Sequence, residues 1–129
     1  MGIFKRFKAS VDVSREENTV QWKVLTRMDQ LDQILEQSME KPVGIFKHST
    51  RCGVSRGVLK VFEKDFSLSE DQIILYFLDL LAHRDISNEI VSRFHVHHES
   101  PQLIVLKEGK VIYSDSHNAI DASDMQKLL

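Results

Sequence analysis

Ile45-Phe46-Lys47-His48-Ser49-Thr50-Arg51-Cys52-Gly53-Val54-Ser55 is the stretch on which the fold turns. An apolar run gives way to small polar residues, and the only cysteine of the chain follows at once. Beyond it, Val54, Val58, Val61, Phe62 and Phe66 recur at helical spacing. This order predicts a strand-to-helix turn with Cys52 on the first turn of the helix. Backbone N–H groups without partners and the positive end of the helix dipole gather there, and both favour an anion. For a cysteine that anion is the thiolate, its nucleophilic form. Cys52 is therefore expected to be a reactive thiol, positioned by the rest of the chain.

Working outward, the apolar run Val43 to Lys47 has the length of a central strand. Before it, Thr19 to Leu25 alternates apolar and polar residues as a half-buried strand does. Met28, Leu31, Ile34, Leu35 and Met39 then mark one face of a helix, with Thr26 as the expected N-cap. Lys41-Pro42 ends that helix, because a residue before proline is pushed out of helical geometry. On the other side, the cysteine helix is expected to run to about Phe66. Gly57 inside it costs about 1 kcal/mol of helix propensity, which points to close backbone packing there.

Ile73 to Leu81 is apolar except for Asp79 and is read as a strand buried on both faces, with Asp79 at the strand end. Asp85 opens a helix with Ile86, Ile90, Val91 and Phe94 on its inner side. His95, His97 and His98 follow, then Ser100-Pro101-Gln102 and the apolar run Leu103 to Leu106. Lys107-Glu108-Gly109-Lys110 reads as a hairpin turn, with Val111-Ile112-Tyr113 pairing back antiparallel. A last helix is expected from about Asn118. The order β-α-β-α-β-α-β-β-α is that of an α/β sandwich: parallel strands with crossover helices, then a hairpin and a closing helix. It is the thioredoxin-like fold, a central mixed sheet flanked by helices.

The totals agree with one soluble domain. The chain has 129 residues, 42% hydrophobic and 28% charged, with a formal net charge of −2. A balance so close to neutral argues against general nucleic-acid binding, which asks for a strongly basic face. Residues 1–18 read as an extension, flexible or a surface helix, ahead of a domain over residues 19–129. Its start, Met1-Gly2-Ile3-Phe4-Lys5-Arg6-Phe7-Lys8, has no apolar stretch of signal-peptide length, and Arg6 stands where N-myristoylation prefers Ser or Thr. A cytoplasmic location without membrane insertion is the expectation. With one cysteine, any disulfide must join Cys52 to another molecule, and a structural zinc site of several thiolates is excluded.

Phe46-Lys47-His48-Ser49-Thr50-Arg51-Cys52-Gly53-Val54-Ser55, taken with Glu99-Ser100-Pro101-Gln102, resembles the YtxJ-like monothiol bacilliredoxins. These are thioredoxin-fold proteins associated with the low-molecular-weight thiol bacillithiol. The resemblance runs from about Thr19 to the C-terminus. Gly53 departs from it, since proline often follows the family's cysteine, and Cys-Gly-x-Ser is also similar to monothiol glutaredoxins.

The resemblance implies that Cys52 is catalytic and that Ser100-Pro101 is a cis peptide beside it. Ser55 stands where a dithiol protein has its resolving cysteine; it either donates toward the Cys52 sulfur or is an ordinary first-turn polar residue. Arg51 and Gly53 complete the supporting set. Lys47, Arg56 and Gln102 are candidates for binding the thiol, the two cations by pairing with the malyl carboxylates of bacillithiol. His95, His97 and His98 lack the thiol or carboxylate partners of a recognised metal site and are read as a loop, so no metal is assigned.

The expected activity is monothiol thiol–disulfide exchange that removes bacillithiol from S-thiolated client proteins, with bacillithiol as co-substrate and nothing tightly bound. The protein is expected to act as a monomer or weak homodimer. The alternatives are a carrier of an iron–sulfur cluster, as the Cys-Gly-x-Ser glutaredoxins are, and a non-catalytic interaction module.

Overall fold

The computed structural model describes residues 20–129; the extension expected over residues 1–18 lies outside them. In chain order the elements are β1 (Trp22–Val24), α1 (Gln30–Ser38), β2 (Val43–His48), α2 (Gly53–Asp65), β3 (Ile74–Asp79), α3 (Arg84–Phe94), β4 (Gln102–Lys107) and β5 (Lys110–Ser116). A short 3-10 turn (His117–Ala119) and α4 (Ala122–Gln126) close the chain. The described residues build a five-stranded sheet in the order β1-β3-β2-β4-β5. β1 and β2 both run parallel to β3, whereas β4 runs antiparallel to β2 and β5 antiparallel to β4. This is the expected thioredoxin-like architecture.

β2 lies at the centre, and all six of its residues are buried. Alternate side chains therefore enter two separate cores. Phe46 joins Val58, Phe62, Phe66, Leu75, Leu103 and Val105 beneath α2. Val43 and Ile45 join Leu31, Ile34, Leu78, Ile86, Ile90 and Ile104 beneath α1 and α3. The α2 side is aromatic: Trp22 packs edge-on to Phe46 with ring centroids 5.8 Å apart and donates from Nε1 to Glu63 Oε2 at 2.7 Å. Such pairs add about 0.5–1.5 kcal/mol beyond their buried area. A Cβ at Gly44 in β2 would come within 2.7 Å of a terminal methyl of the buried Leu75, so any larger residue there asks that side chain to shift.

Several boundaries differ from the sequence expectation. α1 begins at Gln30 rather than after a Thr26 cap, since Gln30 Oε1 itself accepts from the N–H groups of Thr26 and Arg27. Met28 and Met39 are exposed, so the buried stripe of α1 is Leu31, Ile34 and Ser38. In α2 the buried residues are Ser55, Val58 and Phe62; Val54 and Val61 face solvent. Gly57 is not a close-packing site, because a Cβ there would meet nothing within 4 Å. Instead Val54, Gly57, Val58 and Val61 line an open groove of about 360 Å³ with Asn118 and Ile120. The closing helix is shorter than expected and starts after Asp121, whose Oδ1 caps the Asp124 N–H at 3.0 Å. The β4–β5 hairpin turns on Glu108 and Gly109, both at positive φ, as a two-residue turn between twisted strands demands.

Candidate active site

Two segments leave the same end of the sheet and meet around the cysteine. Lys47 on β2 pairs with Gln102 on β4, the last pair of that ladder. Past Lys47 the chain runs through His48 into Ser49-Thr50-Arg51-Cys52. Just before Gln102 it comes from Ser100-Pro101, whose peptide bond is cis. Antiparallel register alone thus sets the cysteine turn beside the proline loop.

Cys52 is the N-cap of α2, one position earlier than the first-turn placement read from the sequence, with extended backbone at φ −107° and ψ 120°. Its N–H donates to Ser49 O at 3.2 Å and its carbonyl accepts from Arg56 N at 3.1 Å. The sulfur caps no backbone N–H, and Cys52 as a residue is partly exposed. Gly53 opens the helix, and a Cβ placed there would meet only the Arg56 guanidinium, at an ordinary 3.7 Å. Arg51 and Arg56 are exposed, and Arg56 Nη1 donates to Thr50 O at 3.1 Å across the turn.

Ser55 is fully buried, and its hydroxyl is engaged away from the sulfur. Ser55 Oγ lies 2.8 Å from His48 Nδ1 and accepts from the Ser49 N–H at 3.1 Å. These contacts tie the first turn of α2 to the end of β2 and hold the intervening loop from inside. Burial is the main reason that the His48 pKa lies below the ordinary histidine value; Asp79 and Glu63 oppose the shift and Arg56 adds to it. Asp79 ends its strand as expected, with Oδ1 accepting from Leu81 N at 3.2 Å.

Lys47, expected as a cation that pairs with the carboxylates of the thiol, is turned inward. It is 0% exposed, and Nζ lies 2.8 Å from Nδ1 of the exposed His98. Burial brings the Lys47 pKa down to about 8. His98 is also held below the usual histidine range, by burial first and then by the Lys47 charge. Gln102 is likewise interior: Nε2 donates to His97 O at 2.8 Å, and Oε1 accepts from Glu99 N at 3.4 Å. His117 Nε2 lies 3.5 Å from Glu99 Oε1. Among the described residues, no group of three His, Cys, Asp or Glu side chains comes together as a metal site. The roles of His48 and His98 escaped the sequence reading, because their partners lie 7 and 51 residues away.

The arrangement offers one partly exposed cysteine, no second thiol, and the exposed Arg51 and Arg56 on the same turn. That is what a one-thiol exchange protein requires. The family profile described as Monothiol bacilliredoxin BrxC matches residues 23–125. Among solved structures, a protein described as having a thioredoxin fold is 30% identical, with a TM-score of 0.69 over 81% of this chain and 90% of that one. The thioredoxin of Malassezia sympodialis is 25% identical, with a TM-score of 0.61 over 83% of this chain and 86% of its own. Reduced Schistosoma mansoni thioredoxin, 23% identical, shares the fold with a TM-score of 0.64 over 85% of this chain and 100% of that one. With its single thiol at the start of α2 and the family's profile matched across nearly the whole sheet, the chain belongs to the monothiol bacilliredoxin family and has a thiol–disulfide redox function.

Proposed function

We propose that the protein removes bacillithiol from S-thiolated client proteins in the cytoplasm. The Cys52 thiolate attacks the bacillithiol sulfur of the client's mixed disulfide. A bond forms between Cys52 and bacillithiol, the client disulfide breaks, and the client leaves as its own thiolate. Because Ser55 occupies the resolving position, nothing within the chain can attack the new disulfide. A second bacillithiol thiolate does so, leaving as bacillithiol disulfide and restoring Cys52. Electrons and sulfur atoms balance at each exchange.

The observation that carries this reading is the placement of Cys52. Cys52 is a partly exposed residue at the head of α2, while the one side chain in the resolving position is buried and bound to His48. With Lys47 turned inward, Arg51 and Arg56 are the cations left to pair with the bacillithiol carboxylates. No described helix is long and apolar enough to cross a membrane, in keeping with soluble clients.

The test is release of bacillithiol from a modified protein. The wild-type chain should free the client thiol and retain a bacillithiol adduct on Cys52, seen by mass spectrometry; Cys52→Ala should do neither. Full activity in Cys52→Ala would end the reading. A client carrying glutathione in place of bacillithiol supplies the second arm, and equal rates on both would remove the assignment of the thiol. Anaerobic reconstitution with iron and sulfide that yields a coloured dimer would favour cluster carriage instead.

A further inference from the structure

A lysine with no exposed surface has to be accounted for beside a core of mostly apolar side chains. Burying a cation without a carboxylate is unfavourable, and a Met or Leu would fill the same space without that cost. Lys47 Nζ nonetheless extends beneath the sheet end to His98 Nδ1 at 2.8 Å. His98 lies in the segment between the end of α3 and the cis Ser100–Pro101 peptide. That segment is held to the sheet by two side chains from the Lys47–Gln102 pair: Gln102 grips the backbone at His97 and Glu99, and Lys47 grips the His98 ring.

We propose that Lys47 is a positioning residue for the exchange reaction: its ammonium, bound to His98 Nδ1, clamps the proline loop beside Cys52, and protonation of His98 opens the clamp. The chemistry of the pair requires this. An ammonium has three donors and no acceptor, so the bond exists only while Nδ1 keeps its lone pair. A proton on His98 removes the acceptor and sets two cations against each other. The exposed ring then turns to water and uncovers Lys47. The other charges around His98 are few: Glu99 in its own loop favours the proton, whereas Lys47 from β2 and Arg84 from the start of α3 oppose it. Glu99 is itself shared with His117 from the turn after β5. The inference rests on Cys52 being the exchanging thiol.

Three chains decide it: wild type, Lys47→Met and His98→Asn, whose amide oxygen can accept from Lys47 but does not titrate. The rate of exchange with a cysteine peptide carrying bacillithiol as a mixed disulfide is measured from pH 5 to pH 8. Dividing the wild-type rate by the His98→Asn rate at each pH cancels the ionisation of the thiols themselves. That ratio should fall on acidification with the midpoint of His98, read independently from its imidazole resonances. Loss of the clamp in Lys47→Met should slow exchange about tenfold at pH 7.5 and move the His98 midpoint upward. A thermal melt confirms that both variants are folded. A flat ratio, a wild-type rate in Lys47→Met, or a His98 midpoint that the substitution leaves in place would each overturn the clamp. Should Cys52→Ala retain full exchange, it is the underlying reading that fails, whatever the His98 titration shows.

Discussion

The cysteine turn and the proline loop face each other across one end of the sheet, yet they are held in different ways. The turn is a local structure: Cys52 bonds to Ser49, Arg56 reaches Thr50, and Ser55 returns to His48 and Ser49, each contact spanning seven residues or fewer. The loop is held from a distance, by Lys47 on a neighbouring strand and Gln102 at the root of its own. His48 and Lys47 are consecutive in β2, so their side chains leave opposite faces of the sheet and serve one segment each. The nucleophile therefore sits at a helix start tied by short-range contacts, whereas the proline loop hangs on two side chains whose bodies are buried but whose contacts reach the exposed His97 and His98.

Breaking the anchor of the turn should have the largest effect on stability. Ser55→Ala removes only the hydroxyl and leaves His48 Nδ1 and the Ser49 N–H without their partner, which should cost about 2–3 kcal/mol in urea unfolding. Acid acts on the same anchor. The folded-state pKa of His48 is depressed, chiefly by burial, so the unfolded chain takes up the proton first as pH falls through about 6.5. Stability should decline from that pH downward, and His98 adds to the decline because its pKa is lowered too.

The loop anchor should respond with the opposite sign. Carrying a buried lysine whose pKa has fallen to about 8 costs the fold about 3 kcal/mol at neutral pH. Lys47→Met, matched in volume, should therefore raise stability by about 1–2 kcal/mol while slowing exchange. Above pH 8 the folded wild type releases the Lys47 proton before the unfolded chain does. Its stability should rise toward pH 10.5, and Lys47→Met should lack that rise. A variant that loses both stability and activity would show that the two anchors are alike after all.

The smallest effect sharpens the local half. Gly53 is the first helical residue of α2, a position where proline's fixed φ is already suitable. Gly53→Pro should add roughly 0.5–1 kcal/mol by narrowing the unfolded ensemble, with exchange retained. Its departure from the family's usual proline is then a matter of stability and not of chemistry.

How far the sequence could be read follows the same division. The strand-to-helix turn, the lone nucleophile, the hairpin at Glu108-Gly109 and the cis proline were all legible, because apolar period and turn chemistry act over a few residues, and because the family motif marks the proline. That Lys47 turns inward and is not open to the carboxylates of a thiol is not legible in the sequence, since its partner His98 lies 51 residues away. Val54 and Val61 share the helical spacing of the buried Val58 and Phe62, yet α2 turns them toward an open groove. Gly57 was assigned a packing role that the open space around it does not support.

By itself, then, the sequence determined where the thiol is, that no second thiol of the chain can pair with it, and which fold carries it: one cysteine admits no internal disulfide, and the alternation of strand and helix admits few topologies. Only the tertiary structure decided that Ser55 serves His48 and that Lys47 reaches His98. Those contacts depend on strand register, which sets Lys47 opposite Gln102 through an antiparallel pairing that closes over more than fifty residues of intervening chain.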